Sequence, residues 1–410
     1  MNVVVVNDNA QVNGGAAKIA IMEARGMAEC GHRVYFLAAV LPVAPDLVHP
    51  NITIVCSEQP DLIANPNPLQ AFAQGWWNPK AGRLAKELFA TLDPSDTVVH
   101  LHIWTRALSS SVVRAALDAN LRCICTLHDF LLACPTGTLF LHDKQTICHL
   151  QPMSAACIAT NCDTRSYPQK IWRVGRQVIQ QHFGHAPGHL THFIAHSQFA
   201  RDIMAPHLSP SATIHPLTPY IESTQASPAT PANNQDFVYL GRLVREKGVL
   251  MLARAAATER LPLVFIGTGA LEQEVAAIYP EARITGWVDH AISLTRLRQA
   301  RALVFPSLWY ETLGLVVLEA AANGIPSIVP DTSAAREIVV DGVTGLHFRG
   351  GDEQDLRAKM RLLQNPELAA ALGRAAYDRF WASDFASRDA HLVALEAIYA
   401  KLLESVALSA

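Results

Sequence analysis

Residues 307–331, SLWYETLGLVVLEAAANGIPSIVPD, run from a turn through an apolar segment into a short β-branched strand. Two acids, Glu311 and Glu319, stand eight positions apart in this stretch, with Gly314 between them. An unpaired carboxylate inside a core helix is costly, so the pair faces either solvent or a ligand. Just upstream, RALVFPS (301–307) reads as a buried strand, which puts Glu311 in the turn at its carboxyl end. A helix opening near Gly314 leaves its first backbone N–H groups without acceptors. Together with the positive end of the helix dipole, these groups suit a phosphate. Glu319 then lies roughly 7 Å further along the axis.

A diphosphate at that helix start has a carboxylate on either side, and carboxylates accept hydrogen bonds from sugar hydroxyls. Phosphate in the middle with hydroxyls at both ends describes a nucleotide-sugar. The acid spacing alone also fits first-turn dipole compensation. A second motif, GRLVREKG (241–248), strengthens the ligand reading. It follows the strand DFVYLGR, where Gly241 lets backbone approach a ligand and Arg242 and Lys247 supply two cations for a diphosphate.

Working outward, continuous apolar strands alternate with helices on both sides of this region. NVVVVN, RVYFLAAV, DTVVHLHIW, LRCICTLHD and HFIAHS read as strands in the first half. LPLVFIG, ARITGW and PSIVPD join DFVYLGR and RALVFPS in the second. This pattern implies parallel sheets covered on both faces. Residues 218–235, TPYIESTQASPATPANNQ, lack an apolar period and read as a linker. The expected organisation is α/β, with two doubly wound Rossmann-like domains, 1–217 and 236–375, facing a cleft that holds the ligand. Helices over 376–410 are expected to pack back toward the first domain. GTGAL (267–271) lacks the third glycine of a dinucleotide fingerprint and reads as a nucleotide-contacting turn.

With 410 residues the chain exceeds one ordinary core. Its net charge of −3 argues against a nucleic-acid partner. MNVVVVNDNA has neither the basic start nor the long apolar run of a signal peptide, so a cytoplasmic location is expected. Disulfides are rare there. Of the eight cysteines, Cys134, Cys148, Cys157 and Cys162 cluster, with His142 and His149 nearby. They read either as a structural zinc site or as inert thiols, since the spacing lacks the tight C-x2-C knuckles of common zinc sites. Residues 165–185 carry Arg165, Lys170, Arg173 and Arg176 with no acid, alongside Ile171, Trp172, Val178, Ile179 and Phe183. Such a helix can lie on an anionic membrane surface, peripherally on the inner face of the cytoplasmic membrane, or cover the first sheet.

Paired with ETLGLVVLEAAANGIPSIV, the GRLVREKG motif resembles the retaining glycosyltransferases of the GT-B fold, glycosyltransferase family 4. NGGAAKIAI, CTLHDF, FIAHSQFARD, FIGTGALEQEV, ITGWV and REIVVDGVTGLHF extend the resemblance over nearly the whole chain. It implies that Arg242, Lys247 and the backbone of Leu313, Gly314 and Leu315 hold a donor diphosphate. Glu311 would contact the donor sugar, Glu319 the ribose, and Gly15 would permit close approach. His128 would reach the reaction centre. Apart from the resemblance, His100 and His102 alternate with apolar residues in VVHLHIW and read as lining the acceptor side. Two departures stand out: Leu313 replaces the usual aromatic, and SAAREIV replaces a usual glycine pair, at Ala334 and Ala335. The resemblance implies retention of configuration, with transfer from a nucleotide-sugar to a glycan or polyprenyl-diphosphate-linked acceptor. A non-catalytic nucleotide-sugar binder and a GT-B synthase or phosphorylase acting on soluble glycans are the alternative readings. No D-x-D triplet occurs, so no metal cofactor is expected in catalysis.

Overall fold

A computed structural model describes residues 1–62 and 64–404. The first sheet is built from β1 (Asn2–Val6), β2 (Arg33–Ala38), β3 (Ile52–Cys56), β4 (Thr97–Leu101) and β5 (Arg122–Thr126). A small antiparallel hairpin, β6 (Phe140–Leu141) and β7 (Thr146–Ile147), interrupts it before β8 (His192–Ala195) and β9 (Thr213–Pro216) complete it. The second sheet comprises β10 (Phe237–Leu240), β11 (Leu263–Ile266), β12 (Arg283–Ile284), β13 (Ala302–Val304), β14 (Ser327–Pro330) and β15 (Gly345–Phe348). The strand orders are β3-β2-β1-β4-β5-β8-β9 and β12-β11-β10-β13-β14-β15, and all these neighbours pair in parallel.

Both sheets change direction beside their first strand. Loops leaving β1 and β4, and those leaving β10 and β13, diverge there and open a crevice at the carboxyl edge. The GRLVREKG loop follows β10 and the Glu311 turn follows β13, so the two motifs flank the switch point of the second sheet.

Residues 218–235 are extended but fastened. Ile221 N–H donates to Phe385 O at 3.2 Å and Ala229 N–H to Asn323 O at 2.8 Å. The expected boundary at residue 375 falls inside the Pro366–Trp381 helix, which stays on the second domain. Its Phe380 packs with Leu318 and Ala322, and Trp381 Nε1 donates to Ala322 O at 3.1 Å. The chain crosses over after Trp381, through a tight turn at Asp384–Ala386. The Arg388–Glu404 helix then returns to the first domain, as expected of the C-terminal helices; residues 405–410 of that region lie outside the described residues. Leu392, Leu395, Ile398, Tyr399 and Leu402 share one core with Val3, Val5 and Phe36.

The basic segment forms the Tyr167–His182 helix with its polarity inverted relative to the membrane expectation. Lys170 and Arg176 are buried, and Arg173 pairs with Asp163 at 2.6 Å. Tyr167, Ile171, Val178 and Phe183 are large hydrophobics left exposed, and Arg165 is exposed as well. The cations Lys170 and Arg176 are internal. They turn inward because the helix covers a polar loop: Arg176 Nη2 donates to Pro135 O at 3.0 Å, Gln177 Nε2 to Leu132 O at 3.0 Å and Gln180 Nε2 to Leu131 O at 3.2 Å. Among the described residues, no helix is long and apolar enough to cross a membrane.

Candidate functional site

Two helices point their amino ends into the crevice from opposite domains. One is Gly15–Glu29, behind Gly14; the other is Leu315–Ala322, behind Gly314. They approach so closely that a Cβ on Gly15 would lie 2.9 Å from Leu315 Cδ1. First-turn N–H groups of both helices lack intrahelical acceptors, so the gap between them is electropositive. Thr312 latches the domains together here. Its Oγ1 donates to His128 O at 3.0 Å, and its carbonyl accepts from Ser197 Oγ at 2.7 Å. Leu313 beside it is half-buried.

Glu311 is held tightly. Its Oε1 accepts from Lys247 Nζ at 2.5 Å, Trp309 Nε1 at 2.6 Å and Ser307 Oγ at 2.7 Å. Lys247 also lies 5.4 Å from the Trp309 ring centre. Gly248, which closes the motif, takes φ 71°, and a Cβ there would meet Pro306 O at 2.0 Å. That contact seats the β10 loop on the β13 loop and brings Lys247 to Glu311. Arg242 projects to solvent at the crevice. The glycines of 267–271 serve packing behind it: a Cβ on Gly267 would lie 2.0 Å from Gly241 O, and one on Gly269 would lie 2.3 Å from Leu243 O. The departure at Ala334 and Ala335 is tolerated. Ala334 N–H donates to Glu311 O at 3.1 Å, and Ala335 Cβ would lie 3.3 Å from a Cβ on Gly314.

Glu319 faces the first domain rather than solvent. Lys18 Nζ lies 3.3 Å from its Oε1, and His290 Nε2 lies 3.7 Å from the same atom. Neither Lys18 nor His290 was singled out in the sequence. The available signal for Lys18 is its place one turn inside the helix that follows the paired glycines in NGGAAKIAI.

His128 follows β5 and stands half-buried at the crevice floor. Its Nε2 is 2.9 Å from His102 Nδ1, whose Nε2 is 3.4 Å from Glu23 Oε2. Burial, with neighbouring His196 adding to it, pushes the His128 pKa down to about 3, so its ring is neutral near pH 7. His100 and His102 do not line an open acceptor surface. His100 is enclosed between Tyr399 Oη and Thr126 Oγ1, each at 2.7 Å, and His102 is buried behind His128. Both faces of β4 are covered, so alternation along the strand exposes neither ring.

Glu23 is the anion of this cluster, 1% exposed. Burial pushes its carboxyl up, but His391, at 3.2 Å, and the charge of His100 outweigh this and leave it at about 2. Burial lowers His391, and its contact with Glu23 reverses that, so its net shift is upward. His391 belongs to the returning Arg388–Glu404 helix, so this ion pair also docks that helix. Among the described residues, Glu23, His100 and His102 have ligand-type atoms within 4.8 Å of one another, close enough to hold a metal ion. The pairing of Glu23 with His391 already satisfies that carboxylate's charge.

Residues 221–379 match the family model described as glycosyl transferases group 1. The second domain is a glycosyl transferases group 1 domain. Among curated proteins, the chain is similar to a glycogen synthase of Mycobacterium tuberculosis, 35% identical over 162 residues. That match covers 37% of this chain and 39% of the relative, so the chain spans about two fifths of its length. A sucrose-phosphate synthase from Thermosynechococcus elongatus superposes with TM-score 0.72 at 18% identity, covering 98% of this chain and 99% of that one. Anabaena HepE, solved in complex with UDP, superposes with TM-score 0.65 at 15% identity over 99% of this chain and 100% of that one. The group 1 domain thus sits in a two-domain GT-B fold.

Proposed function

We propose that this protein is a retaining glycosyltransferase, moving a sugar from a nucleoside-diphosphate sugar to a hydroxyl of a glycan or lipid-linked glycan. The observation that carries this reading is the Leu315–Ala322 helix start, with Lys247–Glu311 on one side and Lys18–Glu319 on the other. In this reading the diphosphate lies at the first-turn N–H groups of that helix, where Lys247, Arg242 and Lys18 offset its charge. Glu311 orients the sugar hydroxyls and Glu319 the ribose. The occurrence of UDP in HepE makes UDP the first nucleotide to test.

Transfer breaks the bond between the anomeric carbon and the diphosphate oxygen while the acceptor oxygen bonds to that carbon on the same face. The acceptor's proton passes to the departing phosphate oxygen. Charge growing on the diphosphate is stabilised by the cations and helix N–H groups, the electrostatic contribution that dominates in such sites. Neutral His128 can hydrogen-bond the sugar without adding charge beside the anomeric carbon.

The test is a thermal-shift panel of UDP-, GDP- and ADP-sugars, followed by release of nucleoside diphosphate without acceptor. A true donor stabilises the fold as RT ln(1 + [L]/Kd), and its slow hydrolysis separates an enzyme from a binder. Turnover is expected to persist in EDTA. No stabilisation by any nucleotide-sugar would overturn the proposal.

A further inference from the structure

We propose that Cys134, Cys148, Cys157 and Cys162 form a thiolate-ligated metal centre that staples the insertion following β5. The four residues come from separate pieces of chain. Cys134 lies in the turn after β5, Cys148 directly follows β7, Cys157 sits in the short Ala155–Ala159 helix and Cys162 lies just beyond it. All four are free thiols, and they line one small cavity whose remaining walls are apolar apart from Thr136 and Lys170.

Lys170 is the second, independent sign. Its side chain is 0% exposed, and its Nζ donates to Cys162 Sγ at 3.2 Å and Cys157 Sγ at 3.6 Å. A buried ammonium costs several kcal/mol unless an anion or good acceptors surround it, and neutral thiols are weak acceptors. Four thiolates around a divalent ion carry a net charge of about −2, since each deprotonates on binding. That charge makes Lys170 a counter-ion rather than a liability.

Zinc with Zn–S bonds of about 2.3 Å would draw four sulfurs to roughly 3.8 Å apart. The thiols stand wider than that here: among the described residues, the one group of three or more potential ligands within 4.8 Å of one another is Glu23, His100 and His102. Four cysteine thiolates also ligate iron–sulfur clusters, which span a broader cage. The shared chemistry is a soft metal held by all four sulfurs.

The position gives the centre a task. Cys134 lies six residues after His128; between them Gln180 and Gln177 brace the carbonyls of Leu131 and Leu132, and Arg176 braces that of Pro135 just beyond. On the β6–β7 hairpin, His142 Nδ1 reaches within 4.0 Å of Glu246 Oε2, next to Lys247. The centre therefore fixes both the backbone after His128 and a contact to the opposite domain, independently of which sugar is transferred.

Metal analysis of protein purified without oxygen tests this, using elemental analysis and acid-labile sulfide. About one zinc per chain, or iron with stoichiometric sulfide, is expected, and the two arms identify the centre. Cys148→Ser and Cys162→Ser should lose it. Should those variants fail to fold, cobalt(II) added to metal-stripped wild type must give thiolate-to-metal charge-transfer absorption. Native protein with no bound metal and no cobalt–thiolate band overturns the proposal, as does full metal content in folded Cys→Ser variants.

Discussion

Lys18 Nζ stands 3.3 Å from Glu319 Oε1, joining a helix of one domain to a helix of the other at the mouth of the crevice. In the sequence, either residue alone reads as an ordinary charge. Together they place a cation and the acid proposed for the ribose on opposite walls of the candidate donor site. Lys18→Met should raise the donor KM about tenfold, the effect of losing roughly 1.4 kcal/mol of charge-assisted bonding. Initial-rate kinetics against donor concentration check this, and an unchanged KM removes Lys18 from the site.

Glu311 takes three hydrogen bonds on a single oxygen, including the one from Lys247. Glu311→Ala and Lys247→Ala should each lower kcat by about 10²–10³, the usual effect of removing a preorganised polar group. Circular dichroism should show both variants folded. Wild-type turnover in either would clear that residue of a role.

Gly248→Ala should harm both fold and activity. It forces a side chain into φ 71° and against Pro306 O at 2.0 Å. The expected cost is about 2–3 kcal/mol, or roughly 5–10 °C in Tm. A calorimetric scan with Tm unchanged would contradict the close approach of the two loops.

The Glu23–His391 pair predicts a specific pH dependence. His391 is raised above its unfolded value near 6.5 by Glu23, against the opposing effect of burial. Its contribution to stability is therefore full below about pH 6.5 and fades as pH rises through the folded value. Burial holds His100 at about 4 and His128 at about 3, so their contributions run the other way, present above 6.5 and lost on acidification. Burial also lowers His102 and His196, with the same sign. Comparing wild type with His391→Gln cancels that background. The stability gap between them should narrow from pH 6 toward alkaline pH in denaturant titrations, and a gap independent of pH would refute the ion pair.

Much of this architecture is legible in the sequence because parallel strands buried on both faces are unbroken apolar runs, as in VVVV of β1 and LVFI of β11. β3 and β9, which lie at the two ends of the first sheet and are partly exposed, lack that signature and were not recognised. Most donor-side residues were legible because they lie at a strand end near a glycine, and Glu319 because it is an acid inside an apolar helix. Lys18 and His290 were not, since their significance arises when two distant helices meet. The Tyr167–His182 helix shows a further limit: its periodicity reveals two faces without revealing which one points inward. Here the partner is a loop with carbonyls to satisfy, so the polar face is the buried one.

The core shared by β1, β2 and the Arg388–Glu404 helix has a consequence for biosynthesis. His100 meets its Tyr399 partner across 299 residues of chain, so the amino-terminal domain cannot seal its interior when its own strands emerge from the ribosome. Vectorial folding, in which an early domain matures before the next is made, therefore leaves this first domain's core incomplete until the Arg388–Glu404 helix has been added. A nascent chain stalled anywhere in the second domain would display the uncovered flank of Val3, Val5 and Phe36 to chaperones.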